Sequence, residues 1–105
     1  MITFRRTPQE KQYEEVECQP GTYWRFGKYF FTFIINEKTL ITLFRCENRP
    51  SVQVYSSMTN NEWEPCTQDE FVEAYVFAMN RISELSGIQH MPLGITYDNT
   101  SNPES

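Results

Sequence analysis

Two apolar runs near the middle of the chain, Tyr29–Ile35 and Leu40–Arg45, are separated by the polar residues 36–39. Both runs are rich in aromatic and β-branched residues, which favour the pleated, partly buried surface of a β-strand. A short polar interruption between two such runs is most simply a turn, so the pattern predicts an antiparallel hairpin. Because successive side chains of a strand point to opposite faces, both faces of this hairpin carry large apolar residues.

A symmetric turn would pair Ile35 with Leu40 and would sort the side chains of the hairpin onto two faces. The first face then contains Tyr29, Phe31, Phe33, Ile35, Leu40 and Phe44, and the second contains Phe30, Thr32, Ile34, Ile41, Leu43 and Arg45. Neither face is polar enough to be left in contact with water, so we expect each to be covered by another layer.

The flanking segments predict further strands of the same sheet. Ser51–Ser56 alternates valines, which fall on the first face, with residues of the second face that include Tyr55. Gly27 follows the apolar run Thr22–Phe26 and indicates either a bulge in one long strand or a turn between two strands. Lys11–Cys18 has a weaker alternation, which indicates one more strand.

The clearest helix signal in the chain begins at Thr67. Thr67 and Glu70 have the spacing of a capping box, in which two side chains satisfy backbone N–H groups at the start of a helix. Ser86 and Gly87 form the expected stop. Between these signals, apolar residues recur at the spacing of one helix face: Phe71, Tyr75, Ala78, Ile82 and Leu85.

The order of these elements predicts one α+β domain over residues 1–97, followed by a disordered polar tail at 98–105. We expect an antiparallel meander of three to five strands, with the long C-terminal helix packed on one face in two layers. One helix covers only one face of a sheet. The second face is therefore expected to meet the N-terminal segment, the arm Ile88–Tyr97 or another molecule, and a homodimer has the same weight as an intramolecular cover.

The charge of the chain limits its partners. The net charge is −5 and the sequence pI is about 4.8, and an acidic chain is a poor general binder of nucleic acid or anionic membranes. The N-terminus lacks the apolar core of a secretion signal, and no apolar run approaches the ~20 residues of a membrane helix. We therefore expect a cytoplasmic protein that does not associate with membranes.

No combination of residues predicts catalysis, a cofactor or a bound metal. Cys18, Cys46, Cys66 and the single histidine, His90, are far apart in the sequence and lack the close pairs typical of zinc sites. No serine or cysteine lies in a motif that would join it to a base. We therefore expect reduced thiols and a protein that is not an enzyme.

The hypothesis that the sequence favours is a small non-enzymatic protein-interaction module, an adaptor or inhibitor of the kind found in phages and mobile elements. Its contact surface would be the second, helix-free face, which would bind a second copy of the chain or another protein. Aromatic residues and arginine dominate the energetics of protein interfaces. The predicted interface residues are Phe30, Ile34, Ile41, Leu43 and Tyr55, with Arg45 at the rim.

The alternative hypothesis is a single-stranded nucleic-acid-binding protein. Residues 22–29 interleave aromatic and basic side chains, and aromatic platforms beside cations hold single strands without reading their sequence. Small single-strand-binding folds also have strands followed by a helix, which is an analogy of fold alone. The predicted contacts are Tyr23, Trp24, Arg25, Lys28 and Arg49, and the overall acidity of the chain weighs against them.

Overall fold

The computed structural model describes the backbone of residues 1–9 and 12–87, and the side chains of residues 1–6 and 14–87. The predicted arm Ile88–Tyr97 and the predicted tail 98–105 lie outside the described residues. The described strands are β1 (Ile2–Gln9), β2 (Gln12–Cys18), β3 (Tyr23–Phe26), β4 (Phe30–Asn36), β5 (Thr39–Phe44), β6 (Ser51–Tyr55) and β7 (Glu64–Pro65), and the described helix is α1 (Gln68–Ser86).

The main sheet has five strands in the order β6-β5-β4-β3-β7, and α1 packs across one of its faces. Strands β3 to β6 form a meander in which each strand is antiparallel to the next. Strands β1 and β2 form a separate antiparallel hairpin. The sheet and the long C-terminal helix make the α+β fold that the sequence predicts, and this prediction is confirmed.

A turn at Gly27 divides residues 22–35 into two strands. Gly27 has a φ of 65°, in the left-handed region that residues with a Cβ rarely adopt. The turn lets β3 fold back and pair with β4. The backbone N–H of Arg45 donates to the carbonyl of Tyr29 (2.7 Å) and holds the turn against the end of β5. Of the two alternatives that the sequence leaves open, the turn is therefore the correct one.

The register between β4 and β5 differs by one residue from the predicted register. Leu40 pairs with Ile34 because an irregularity between Ile34 and Asn36 shifts the pairing next to the turn. A shift of one residue moves every side chain of a strand to the opposite face. Ile41 and Leu43 consequently lie on the helix face, and the prediction that they belong to the helix-free face is wrong.

Helix α1 begins and ends at the predicted residues. The Thr67 hydroxyl accepts the backbone N–H of Glu70 (3.1 Å), and the Glu70 carboxylate accepts that of Thr67 (2.9 Å), which completes the capping box. The bond from the Thr67 backbone also lowers the pKa of the Glu70 carboxyl. Gly87 ends the helix with a φ of 73°. The buried residues of the helix core are Phe31, Leu43, Phe71, Ala74 and Ala78.

The hairpin of β1 and β2 covers part of the helix-free face. Its residues Ile2, Phe4 and Cys18 are buried in one cluster with Trp24, Ile34, Leu40, Met58 and Trp63, which we call the hairpin core. The sequence allows the N-terminal segment as a cover, but it does not predict β1. The predicted strand Lys11–Cys18 overlaps β2 alone. Leu40 belongs to this core, so its predicted place on the helix side is wrong.

The substitution Leu43→Asp should abolish folding. Leu43 is fully buried (0% exposed) beneath α1, and truncation of such a leucine alone costs about 2–5 kcal/mol, before the cost of burying a carboxylate. We expect far-UV circular dichroism to show an unfolded chain. Val54→Asp is the matched control, because Val54 lies on the same face of the sheet but is 66% exposed. A folded Leu43→Asp protein would contradict the packing of α1.

Candidate interaction groove

A groove opens on the helix-free face, beside the part that the hairpin covers. Its volume is about 490 Å³, which lies within the usual range for ligand sites. Strands β3, β4 and β5 supply its floor, and the segment that connects β6 to β7 supplies a wall. We call it the aromatic groove, and its lining consists of Phe26, Phe30, Thr42, Tyr55, Ser57, Met58, Thr59, Asn61 and Trp63.

Aromatic rings pack in series along the floor of the groove. The Phe26 ring contacts those of Trp63 and Phe30, with centroid distances of 5.8 and 5.9 Å, and Phe30 stacks on Phe44 at 4.6 Å. Such ring pairs contribute about 0.5–1.5 kcal/mol beyond the area that they bury. Phe30 nevertheless remains 36% exposed and Tyr55 46% exposed. The groove therefore presents ordered rings that remain partly exposed.

Hydrogen bonds fasten the wall of the groove to the hairpin. The Arg6 guanidinium donates to the carbonyl of Trp63 (2.7 Å), and the backbone N–H of Arg5 donates to the Oδ1 of Asn60 (2.9 Å). Within the wall, the Trp63 indole N–H donates to the carbonyl of Thr59 (3.0 Å). These bonds hold the connecting segment in place, so the groove is preformed.

The lining of the groove has no charged side chain. Its polar side-chain groups are hydroxyls, one amide and the indole N–H of Trp63. Three hydroxyls already have partners, since Thr42 shares a hydrogen bond with Thr32 (3.0 Å), Tyr55 donates to the side-chain oxygen of Gln53, and Thr59 accepts from the Asn61 amide (2.7 Å). The arrangement suits an apolar or aromatic guest and offers no acid, base or activated nucleophile.

Two of the six predicted interface residues lie in the groove. Phe30 and Tyr55 line it. Ile34 is fully buried in the hairpin core, to which the hairpin contributes Ile2 and Phe4. On the helix face, Leu43 is fully buried and Ile41 is half-buried. These three aliphatic residues therefore pack between the protein's own layers, and Ile34 and Leu43 offer a partner no exposed surface. Contact between a partner and these residues stays a prediction.

Arg45, the predicted rim residue, packs against the helix. Its guanidinium lies over the Phe77 ring, 4.2 Å from the centroid, which accounts for an aromatic residue on the otherwise polar side of α1. The Arg81 guanidinium donates to the carbonyl of Glu47 (2.7 Å). Both contacts anchor the second half of α1 to the loop between β5 and β6.

Sequence reasoning missed Phe26, Met58 and Trp63 as groove residues. Their positions depend on the hairpin and on the wall that it supports, and the first strand of that hairpin is not predicted. A tryptophan and a methionine in an otherwise polar connector were the available signal, since such large apolar residues are usually buried in part.

Both aromatic residues of the nucleic-acid hypothesis are engaged inside the protein. Trp24 is 8% exposed, and its indole N–H donates to the Thr22 hydroxyl (2.9 Å). Tyr23 stacks on Phe33 with a centroid distance of 4.7 Å and packs against the helix core. A base needs an open ring face on which to stack. These two rings do not provide that platform.

Two of the three cations of the same hypothesis, Arg25 and Lys28, lie beside acidic side chains. Arg25 forms an ion pair of 3.7 Å with Glu64, and Arg49 is exposed on the loop between β5 and β6. Acidic groups beside Arg25 and Lys28 oppose the approach of a phosphate. The shallow cavity at this place has a volume of about 250 Å³ and is lined by Arg25, Lys28, Phe31, Arg45, Glu70 and Glu73.

Comparison with known proteins gives no family for this chain. No family model, curated protein or solved structure matches it. Among the described residues, no group of three or more His, Cys, Asp or Glu side chains could hold a metal ion, and His90 lies outside them. Within residues 1–9 and 12–87, no helix has the length and apolar character needed to cross a bilayer.

Burial keeps two of the free thiols protonated. It raises the pKa of Cys18 to about 11. The pKa of Cys66 is also about 11, raised by burial and then by the Glu70 carboxylate, against the opposing effect of Arg25. The thiolate is the nucleophilic form of cysteine, so neither thiol is activated for catalysis.

Cys18 and Cys66 should resist alkylation in the folded protein. With a pKa of about 11, roughly one such thiol in a thousand is ionised near pH 8, against about one in four at the ordinary pKa of about 8.5. We expect iodoacetamide to label both at least about a hundredfold faster in urea, as measured by peptide mass spectrometry. A Cys46→Ala variant should leave both rates unchanged. Equal rates in folded and unfolded protein would contradict the raised pKa values.

Single-stranded oligonucleotides should not bind the folded protein at physiological salt. Trp24 and Tyr23 are packed, and the net charge of −5 repels phosphates. Fluorescence anisotropy of a labelled oligonucleotide should be the same with the wild type and with the matched variant Arg25→Glu/Lys28→Glu. Salt-dependent binding by the wild type that this variant loses would instead support the nucleic-acid hypothesis.

Proposed function

We propose that this protein is a small non-enzymatic protein-interaction module, an adaptor or inhibitor, that binds a segment of a partner protein in the aromatic groove. The partner inserts an apolar or aromatic side chain against the rings of Phe30 and Tyr55. The protein acts by occupying a surface of its partner and not by chemical conversion.

The observation that supports this proposal is a preformed groove with accessible aromatic rings and an uncharged lining. Binding energy at protein interfaces is concentrated in aromatic anchors that fill well-packed pockets. Preorganisation adds to affinity, because little conformational freedom is lost when the guest arrives. Burial of one large apolar side chain of the guest contributes about 1.5–3 kcal/mol.

The negative net charge of the protein favours a partner with basic residues. The chain carries a net charge of −5, while the groove itself is uncharged. Complementary charge around an interface accelerates association and disfavours wrong partners. The proposed partner therefore presents an apolar anchor that is flanked by lysine or arginine.

A random-peptide phage library selected against the full chain tests the proposal. We expect the enriched peptides to share an aromatic or aliphatic anchor with flanking basic residues. Tyr55→Ser and Phe30→Ser should each weaken binding of such a peptide at least about tenfold, a loss of about 1.4 kcal/mol or more, because each removes a ring from the groove. Isothermal titration calorimetry measures this change, and circular dichroism checks that both variants fold.

Val54→Ser is the matched control for these two variants. Val54 precedes Tyr55 in β6 but lies on the helix face, and it is 66% exposed. Its removal should leave peptide affinity unchanged. Equal weakening by Val54→Ser, or a selection that enriches no peptide, would contradict binding in the groove.

A further inference from the structure

The two edges of the main sheet differ in how they are protected. The β7 edge has only two residues, one of them Pro65, and the carboxylate of the other, Glu64, pairs with Arg25. Short length, proline and charge all discourage the addition of a further strand. The separate hairpin is similarly protected, because β1 and β2 carry charged residues on both faces. Among them are Arg5 and Glu15, which lie opposite each other in the register of the two strands.

The β6 edge lacks this protection. Its sequence, Ser-Val-Gln-Val-Tyr, has no charge and no proline, and it pairs with β5 over five residues without a bulge. Val54 is 66% exposed, more than any other large hydrophobic side chain of the described residues. An edge of this kind is a template for pairing with another strand.

We propose that β6 pairs antiparallel with β6 of a second copy of this chain, so that the two five-stranded sheets join into one. With the two-fold axis at Gln53, each Val54 lies opposite Val52 of the other copy. Each Tyr55 then lies opposite Ser51. The valine pairs fall on the helix face and extend the helix core across the seam.

Charge and symmetry favour a second copy over a foreign strand. Two chains of net charge −5 repel each other, but residues 51–55 carry no charge, so the seam is where two copies can meet without opposed carboxylates. An antiparallel pair of identical strands is self-complementary, and it uses both edges in one closed dimer. Val52 already packs on the helix core, which holds the edge in position before pairing.

Sedimentation velocity on the full chain tests the proposal. We expect a monomer–dimer equilibrium, and Val54→Lys should weaken dimerisation at least about tenfold, because it replaces two valine pairs with exposed charges. Val72→Lys is the matched control, since Val72 is 45% exposed on α1 and adjoins Phe71, which packs on Tyr23 of β3 and not on the β6 edge, and it should leave the dimer intact. A wild type that stays monomeric at its highest soluble concentration, or equal loss in both variants, overturns the proposal.

Hydrogen–deuterium exchange of the wild type gives a second readout that needs no variant. Amides of residues 51–55 should exchange more slowly in concentrated than in dilute protein. Protection at a concentration where sedimentation shows only monomer means that this chain's own residues 88–105 cover the edge, and the absence of protection at every concentration leaves the edge free for another protein. Either result overturns pairing between copies. Peptide binding in the groove should survive Val54→Lys, so the two proposals fail separately.

Discussion

The whole architecture depends on the double burial of the central strands β4 and β5. Alternate side chains enter two different cores, with Ile34 and Leu40 on one side and Leu43 on the other, all fully buried. Thr32, the buried polar residue in the middle, satisfies its hydroxyl through Thr42. Exposing one of these large apolar side chains to water would cost the folded protein about 1.5–3 kcal/mol of stability. A single layer would leave one of these two sets of side chains in water, so the helix and the hairpin both stabilise the sheet.

Helix α1 covers more of its face of the sheet than the hairpin covers of the other face. The groove is a part of the helix-free face that the hairpin leaves uncovered. Helix α1 contacts four strands of the sheet and is anchored near its middle by the stack of Arg45 on Phe77. The hairpin is narrower and buries the side chains around Ile34 and Leu40, while Phe30 stays partly exposed. The protein thus holds accessible aromatic rings on a rigid sheet. Rigid presentation of this kind favours binding, because the conformational entropy of the rings is lost during folding and not during binding.

Local signals were sufficient for the helix and for the fold class, but not for the faces of the sheet. The capping box at Thr67 and the stop at Gly87 act within a few residues, so they can be read from the sequence. The register of β4 and β5 depends on one irregularity beside Asn36 that no composition pattern marks. That single shift placed both Ile41 and Leu43 on the helix face instead of the predicted helix-free face. The hairpin was missed for a different reason, since β1 gains its stability from distant residues such as Trp24 and Trp63.

Tyr55 connects the two proposed contacts physically. Its ring lines the groove, its backbone lies in β6 at the end of the strand order of the described sheet, and its hydroxyl donates to Gln53, the residue at the proposed two-fold axis. Because the groove is preformed, the proposed guest leaves the Tyr55 ring and its bond to Gln53 in place. The side chain of Val54, on which the proposed pairing at the seam depends, lies on the opposite face of the sheet. By thermodynamic linkage, two contacts that do not reposition each other's residues bind independently, so a change at Val54 alters dimerisation without altering affinity in the groove.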